Sequence, residues 1–133
     1  MTPPPNGEPD PPRLFVYGTL MPGRLRWPIL ERFAVEFRDA RVPGAIYDSG
    51  EGWPVAVFGD GDAVVPGVLV DLDPDTVAAA LPILDDVEDT ATDKLRRVVV
   101  TTTDGDHAWA YHHPSAVDAL VRIDAWHEGF AER

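Results

Sequence analysis

From residue 14 the chain is a series of short apolar runs cut by glycine and proline. Leu14–Tyr17 is apolar at every position rather than alternating, which predicts a strand buried on both faces. Residues 18–23 contain two glycines and a proline and predict a loop. In Arg24–Phe33, Trp27, Leu30 and Phe33 recur every third residue, which predicts a short helix with one apolar stripe. The segment AVEFRDARVPGAIYD mixes alternation with a Pro43–Gly44 break and predicts two short strands or one bent strand. A strand around Val55–Phe58 follows. AVVPGVLVDLD predicts another, with a bulge or bend at Pro66–Gly67.

The strongest helix signal is DLDPDTVAAALPILDDVED. Asp73 suits an N-cap, Pro74 the first helical position and Asp75 the positive end of the helix dipole. Val77, Leu81 and Leu84 share a stripe, and Pro82 predicts a kink or break. LRRVVVTTT and HAWAYHH flank the turn DGD and predict a hairpin. SAVDALVRIDAWHEGF has helical or mixed character. Many short bent strands without regular βαβ alternation predict an α+β domain built on a small, mixed, strongly bent sheet or barrel with a few packed helices.

The chain has 133 residues and 44% hydrophobic content, which suits one core. Six of its 14 prolines fall in residues 1–12. That stretch is expected to be a disordered arm ahead of a single domain over 13–133. Eleven basic against 23 acidic residues give a net charge of −12, which disfavours nucleic acid and anionic membrane surfaces as partners. The same charge favours a monomer in dilute salt. Cysteine is absent, so disulfides, thiolate metal sites and cysteine nucleophiles are excluded. With no signal sequence and no apolar run near ~20 residues, the expected location is the cytoplasm.

Two stretches carry candidate chemistry. In LFVYGTLMPG a strand ends in Gly18–Thr19, where successive backbone N–H groups form a nest for an anion or a developing oxyanion. In LDDVEDTATD, Asp85, Asp86, Glu88, Asp89 and Asp93 crowd the end of the predicted helix. There they oppose the dipole and repel one another, which raises the pKa of the least solvated carboxyl. Glu88, four residues after Leu84 and next to Val87, is the expected general acid/base. His112 and His113 face opposite ways on a strand, as do His107 and His112, so a dedicated metal site is not expected. The serines lack a nucleophile-elbow context, and no phosphate-loop or dinucleotide fingerprint occurs.

These stretches occur in an order that resembles the γ-glutamylcyclotransferase-like (AIG2-like) superfamily. FVYGTLMPG is similar to its opening signature, VPGAIYDSGEGWPVAV to its Tyr-Asp and aromatic-Pro segment, and VVPGVLVDLD to its Val-x-Gly strand. ILDDVED resembles the segment carrying the family's catalytic glutamate, and RRVVVTT and AWAYHH its next two strands. The resemblance spans about residues 14–128 and implies a small mixed β-barrel with packed helices. It implies release of 5-oxoproline from a γ-glutamyl amine or amino acid, by attack of the substrate's own α-amine on its γ-carbonyl. Glu88 would move the proton, and Tyr17, Gly18, Thr19 and Leu20 would bind a substrate oxygen through backbone N–H groups. Trp53, Pro54 and Tyr111 would line the pocket, beside Trp109, without a cofactor.

The chain departs from the family pattern at Asp89, where glycine is usual, at Leu95, where tyrosine is common, and at Trp53, where tyrosine usually precedes the proline. Three readings stay open. One is the cyclotransferase. Another is a non-catalytic protein binding a small metabolite or partner on the same fold. The third is a hydrolase or amine-lyase variant in which Glu88 activates water.

Overall fold

A computed structural model describes residues 12–18, 20–23, 26–48, 54–59, 63–87, 96–112 and 120–123. In chain order the elements are β1 (Arg13–Val16), α1 (Trp27–Glu31), β2 (Ala34–Asp48), β3 (Pro54–Phe58), β4 (Val64–Leu72), α2 (Val77–Val87), β5 (Arg96–Thr101), β6 (His107–His112) and β7 (Val121–Ile123). The strands form one sheet in the order β3-β2-β4-β1-β6-β5, with β7 paired to β2. All pairings are antiparallel except β1 with β6, where Leu14 lies opposite Trp109.

The sheet bends until its ends nearly meet. Across the seam the Phe58 N–H donates to Nδ1 of His112 at 3.2 Å, and the Thr103 N–H donates to the Arg41 carbonyl at 2.9 Å. The result is a nearly closed, barrel-like mixed sheet with two helices, the α+β architecture expected from the run of short strands.

Both faces of β1 are buried, as its unbroken apolar run requires. Phe15 and Tyr17 project inward with Val42, Ile46, Val65, Leu69 and Ala110. Leu14 and Val16 project outward under the helices, against Leu30 of α1, Leu81 and Leu84 of α2, and Trp109 and Tyr111 of β6. Each large apolar side chain fully buried in these two layers stabilises the fold by roughly 1.5–3 kcal/mol.

The structure settles some expectations and corrects others. Of the two readings of AVEFRDARVPGAIYD, the single bent strand forms, over 15 residues. Its first part pairs with β4 as far as Pro43, and from Gly44 onward it pairs with β3. Gly44 turns this corner with φ +150°, and an added Cβ would lie 2.5 Å from the Val57 carbonyl oxygen, so only glycine fits. No bulge forms at Pro66–Gly67: the β2–β4 register runs through them and shifts instead between Ala34 and Glu36.

Helix α1 is shorter than Arg24–Phe33, because Arg32 and Phe33 lie in a turn closed by the Phe33 N–H on the Leu30 carbonyl. Helix α2 begins at Val77 rather than directly after Asp73. The Asp73 carboxylate accepts the Asp75 N–H at 2.9 Å and holds a turn that leads into the helix. Pro82 does not break α2, which continues to Val87. The β5–β6 hairpin is as expected, with Gly105 at φ +94° in its turn. Within the last apolar segment, expected to be helical or mixed, Val121–Ile123 is a strand.

Candidate active site

Strand geometry brings the first candidate stretch to the last hairpin. Because β1 runs parallel beside β6, Tyr17 at the end of β1 reaches Tyr111: its buried hydroxyl donates to the Tyr111 carbonyl at 2.6 Å. The Tyr17 ring is held edge-on by Phe58, with centroids 5.8 Å apart. The chain then turns, with the Met21 N–H donating to the Gly18 carbonyl at 3.0 Å. Leu20 is buried in the helix-covered layer with Leu84 and Tyr111. The turn is therefore anchored on both sides of residue 19 by groups that cannot leave without exposing apolar surface.

Helix α2 approaches from the other direction. Ala80, Leu81 and Leu84 are its buried stripe. That stripe sets the rotation of the helix, and Asp85 lands beside β5 and β6. Its Oδ1 accepts two hydrogen bonds, from Arg97 Nε at 2.8 Å and from the Tyr111 hydroxyl at 2.9 Å. Arg97 and Tyr111 are directly opposite in the hairpin and so share the helix-covered face. The Arg97 guanidinium carbon lies 4.3 Å from the centroid of the Trp109 ring.

A continuous chain of contacts thus runs from the tip of β1 through Tyr111 to Asp85, three residues before Glu88. At Asp85 the negative charge is met by a cation from another strand, which also offsets the unfavourable end of the α2 dipole.

Of the sequence candidates, Tyr17, Gly18, Leu20 and Tyr111 come together here. Pro54 begins β3, opposite Asp48 and next to the buried Val55. Thr19, Trp53 and Glu88 lie outside the described residues, as do Asp89 and Leu95. Asp85 was read only as one of the acidic cluster, and its pairing with Arg97 was not foreseen. They are 12 residues apart, and no local pattern announces their pairing.

Among the described residues no group of three His, Asp or Glu side chains is arranged to hold a metal ion. Nor is any helix there long and apolar enough to cross a membrane.

The family model for gamma-glutamyl cyclotransferase, AIG2-like, matches residues 14–128. The chain belongs to this family. No curated protein matches it. Among solved structures, the uncharacterized protein PH0828 from Pyrococcus horikoshii is 24% identical with a TM-score of 0.63, over 84% of this chain and 85% of its own. The uropathogenic E. coli-specific protein c4763 is 18% identical with a TM-score of 0.63, over 84% and 87%. A structure named gamma-glutamyl cyclotransferase is 19% identical with a TM-score of 0.52, over 83% and 68%. At these identities the likeness is one of fold. The gamma-glutamyl cyclotransferase, AIG2-like fold therefore accounts for the bent barrel, and the family fits a small-molecule substrate.

Proposed function

We propose that this chain is a γ-glutamyl cyclotransferase that releases 5-oxoproline from a γ-glutamyl amine or amino acid, with Glu88 as general acid/base. The observation that carries the reading is the contact chain Tyr17–Tyr111–Asp85. It ties the turn after β1 to the end of α2, the two stretches whose sequences carry the candidate chemistry.

The α-nitrogen of the substrate attacks its own γ-carbonyl carbon, and a C–N bond forms as the five-membered ring closes. Glu88 takes a proton from the attacking nitrogen. The negative charge that develops on the carbonyl oxygen is met by backbone N–H groups of residues 18–20. Collapse of the tetrahedral intermediate breaks the original amide C–N bond, and Glu88 returns the proton to the departing amine. One carboxyl group serves both steps when its pKa lies near the working pH. Trp53, Pro54 and Tyr111 line the pocket. Because the ring closes within one molecule, much of the acceleration comes from holding a single conformer. The reading needs no metal or organic cofactor, and the protein acts as a cytoplasmic monomer on a small molecule, with residues 13–133 as its one folded domain.

The second reading, a binding protein on the same fold, is favoured by Leu95, which cannot offer the hydroxyl of the family's usual tyrosine. A product assay separates the two. Purified protein incubated with a panel of γ-glutamyl amines and γ-glutamyl dipeptides is expected to release 5-oxoproline from at least one. A panel with no product at any substrate would favour binding over catalysis.

A further inference from the structure

Two hydrogen bonds across the barrel seam differ in kind. In one, the Thr103 N–H donates to the Arg41 carbonyl at 2.9 Å, backbone to backbone. In the other the acceptor is a side chain, because the Phe58 N–H donates to Nδ1 of His112 at 3.2 Å. Strands β3 and β5 are the two ends of the sheet order, and among the described residues no ladder pairing joins them. A cavity of about 440 Å³ opens at the seam instead, lined by Val42, Pro43, Phe58, Val98, Val100 and His112. Beside that cavity the seam thus uses an imidazole nitrogen where a ladder would use a carbonyl.

A ring nitrogen accepts a hydrogen bond only while it carries no proton. The Phe58 contact therefore assigns His112 the neutral ring with its proton on Nε2. Protonation makes Nδ1 a donor, and two N–H groups then point at each other. Among the described residues, the ionisable side chains around this contact are Arg96 and Tyr17. Arg96 lies directly opposite His112 on β5. Tyr17 packs edge-on against Phe58, with its hydroxyl on the Tyr111 carbonyl. Strand β3, PVAVF, supplies none, and β2 lines the cavity with Val42 and Pro43. An imidazolium would set its charge beside Arg96 and its second N–H against that of Phe58.

We propose that His112 is a proton-operated latch on the barrel seam. Neutral, it holds the end of β3 to β6. Protonated, it releases Phe58 and lets the seam open. Latch and proton exclude each other, so the contribution of the latch is full above about pH 6.5, the ordinary histidine value, and is lost as the pH falls below it. The Phe58 ring lies 6.2 Å from the His112 ring and 5.8 Å from that of Tyr17, centroid to centroid. Release of Phe58 therefore also loosens the packing behind the turn after β1. The latch goes beyond the proposed reaction and does not depend on it.

Amide hydrogen exchange of the full-length protein, read by NMR from about pH 7.5 down to about pH 4.5, tests the latch. Protection factors are referred to the intrinsic rate at each pH, and the His112 ring protons report its titration in the same samples. Protection of the Phe58 amide is expected to fall about tenfold or more as His112 takes its proton, the scale of leaving a partly buried donor without its acceptor. The Thr103 amide, on the seam bond that does not titrate, is expected to keep its protection. His112→Asn puts a carbonyl oxygen near the position of Nδ1 and removes the titration, so Phe58 protection should become independent of pH. His112→Phe removes the acceptor, and the Phe58 amide should exchange fast at every pH. Phe58 protection that holds while His112 titrates, or a ring that stays neutral down to about pH 4.5, overturns the latch. So does loss of protection at Phe58 and Thr103 in step, which is unfolding of the whole barrel. A His112→Asn protein with the wild-type pH dependence overturns it as well.

Discussion

Replacing Glu88 with glutamine is expected to lower 5-oxoproline release by about a hundredfold or more, the usual scale for losing a general acid/base. Glutamine has nearly the same shape but cannot take the proton from the attacking nitrogen, so the nucleophile stays an ammonium for most of its bound lifetime. It also cannot deliver a proton to the departing amine, so both halves of the reaction slow. In the proposed mechanism binding falls to the backbone donors of residues 18–20 and the pocket wall, so KM should change far less than kcat. The experiment is a steady-state comparison of wild-type and Glu88→Gln proteins on the best substrate of the panel, with thermal melts run beside it. Equal rates would remove Glu88 from the mechanism and leave water or the substrate itself as the proton carrier.

The second large effect is structural. Gly67→Val is expected to destabilise the protein by about 3 kcal/mol or more, because β1 and β4 touch too closely there for any side chain. An added Cβ at residue 67 would collide with the Val16 carbonyl oxygen and lie 2.8 Å from Cζ of Phe15. The Val16 oxygen belongs to the backbone of β1, which pairs with β4 over Arg13–Val16, so it cannot retreat without parting the two strands. Tyr17 and Gly18 follow directly, and the turn they begin would move with them. Against a typical total of 5–15 kcal/mol, such a loss is a large share of the stability. Urea unfolding checks it: the midpoint should fall well below that of wild type, and Gly67→Ala should lie between the two. A Gly67→Val midpoint unchanged from wild type would show that the strands yield more readily than their pairing implies.

What was legible in the sequence divides along physical lines. The strands read well, because apolar runs and turn residues are local signals. Leu14–Tyr17 reads as a doubly buried strand from its lack of alternation alone. The Pro43–Gly44 break was visible, but whether it ends a strand or bends one depends on β3 and β4 pairing with its two sides, which no local pattern reports. Pro66–Gly67 read as a bulge or bend because glycine within a strand often marks one. Its actual reason is the close approach of a backbone distant in sequence, at Val16. Pro82 read as a kink or break because it removes one helical hydrogen bond, yet the helix continues through it on the buried stripe of Ala80, Leu81 and Leu84.

At the candidate site, Tyr17, Gly18 and Leu20 were legible together because the motif is contiguous. The acidic cluster was legible as charge, but not the partners of Asp85. Arg97 and Tyr111 lie 12 and 26 residues beyond it and meet it only because the β5–β6 hairpin folds back under α2. Trp109 read equally well as a core aromatic or a pocket wall. Its buried nitrogen, without a hydrogen-bond partner among the described residues, reflects its surroundings and not its position in the chain.

The most direct test of the central claim is a crystal structure of the Glu88→Gln protein with γ-glutamylglycine bound. The account predicts the side-chain amide of residue 88 about 3 Å from the ligand's α-nitrogen, within hydrogen-bond reach. It also predicts the ligand's γ-carbonyl oxygen against the backbone N–H groups of residues 18–20. A ligand seated elsewhere, or residue 88 turned into bulk solvent away from the end of β1, would contradict it.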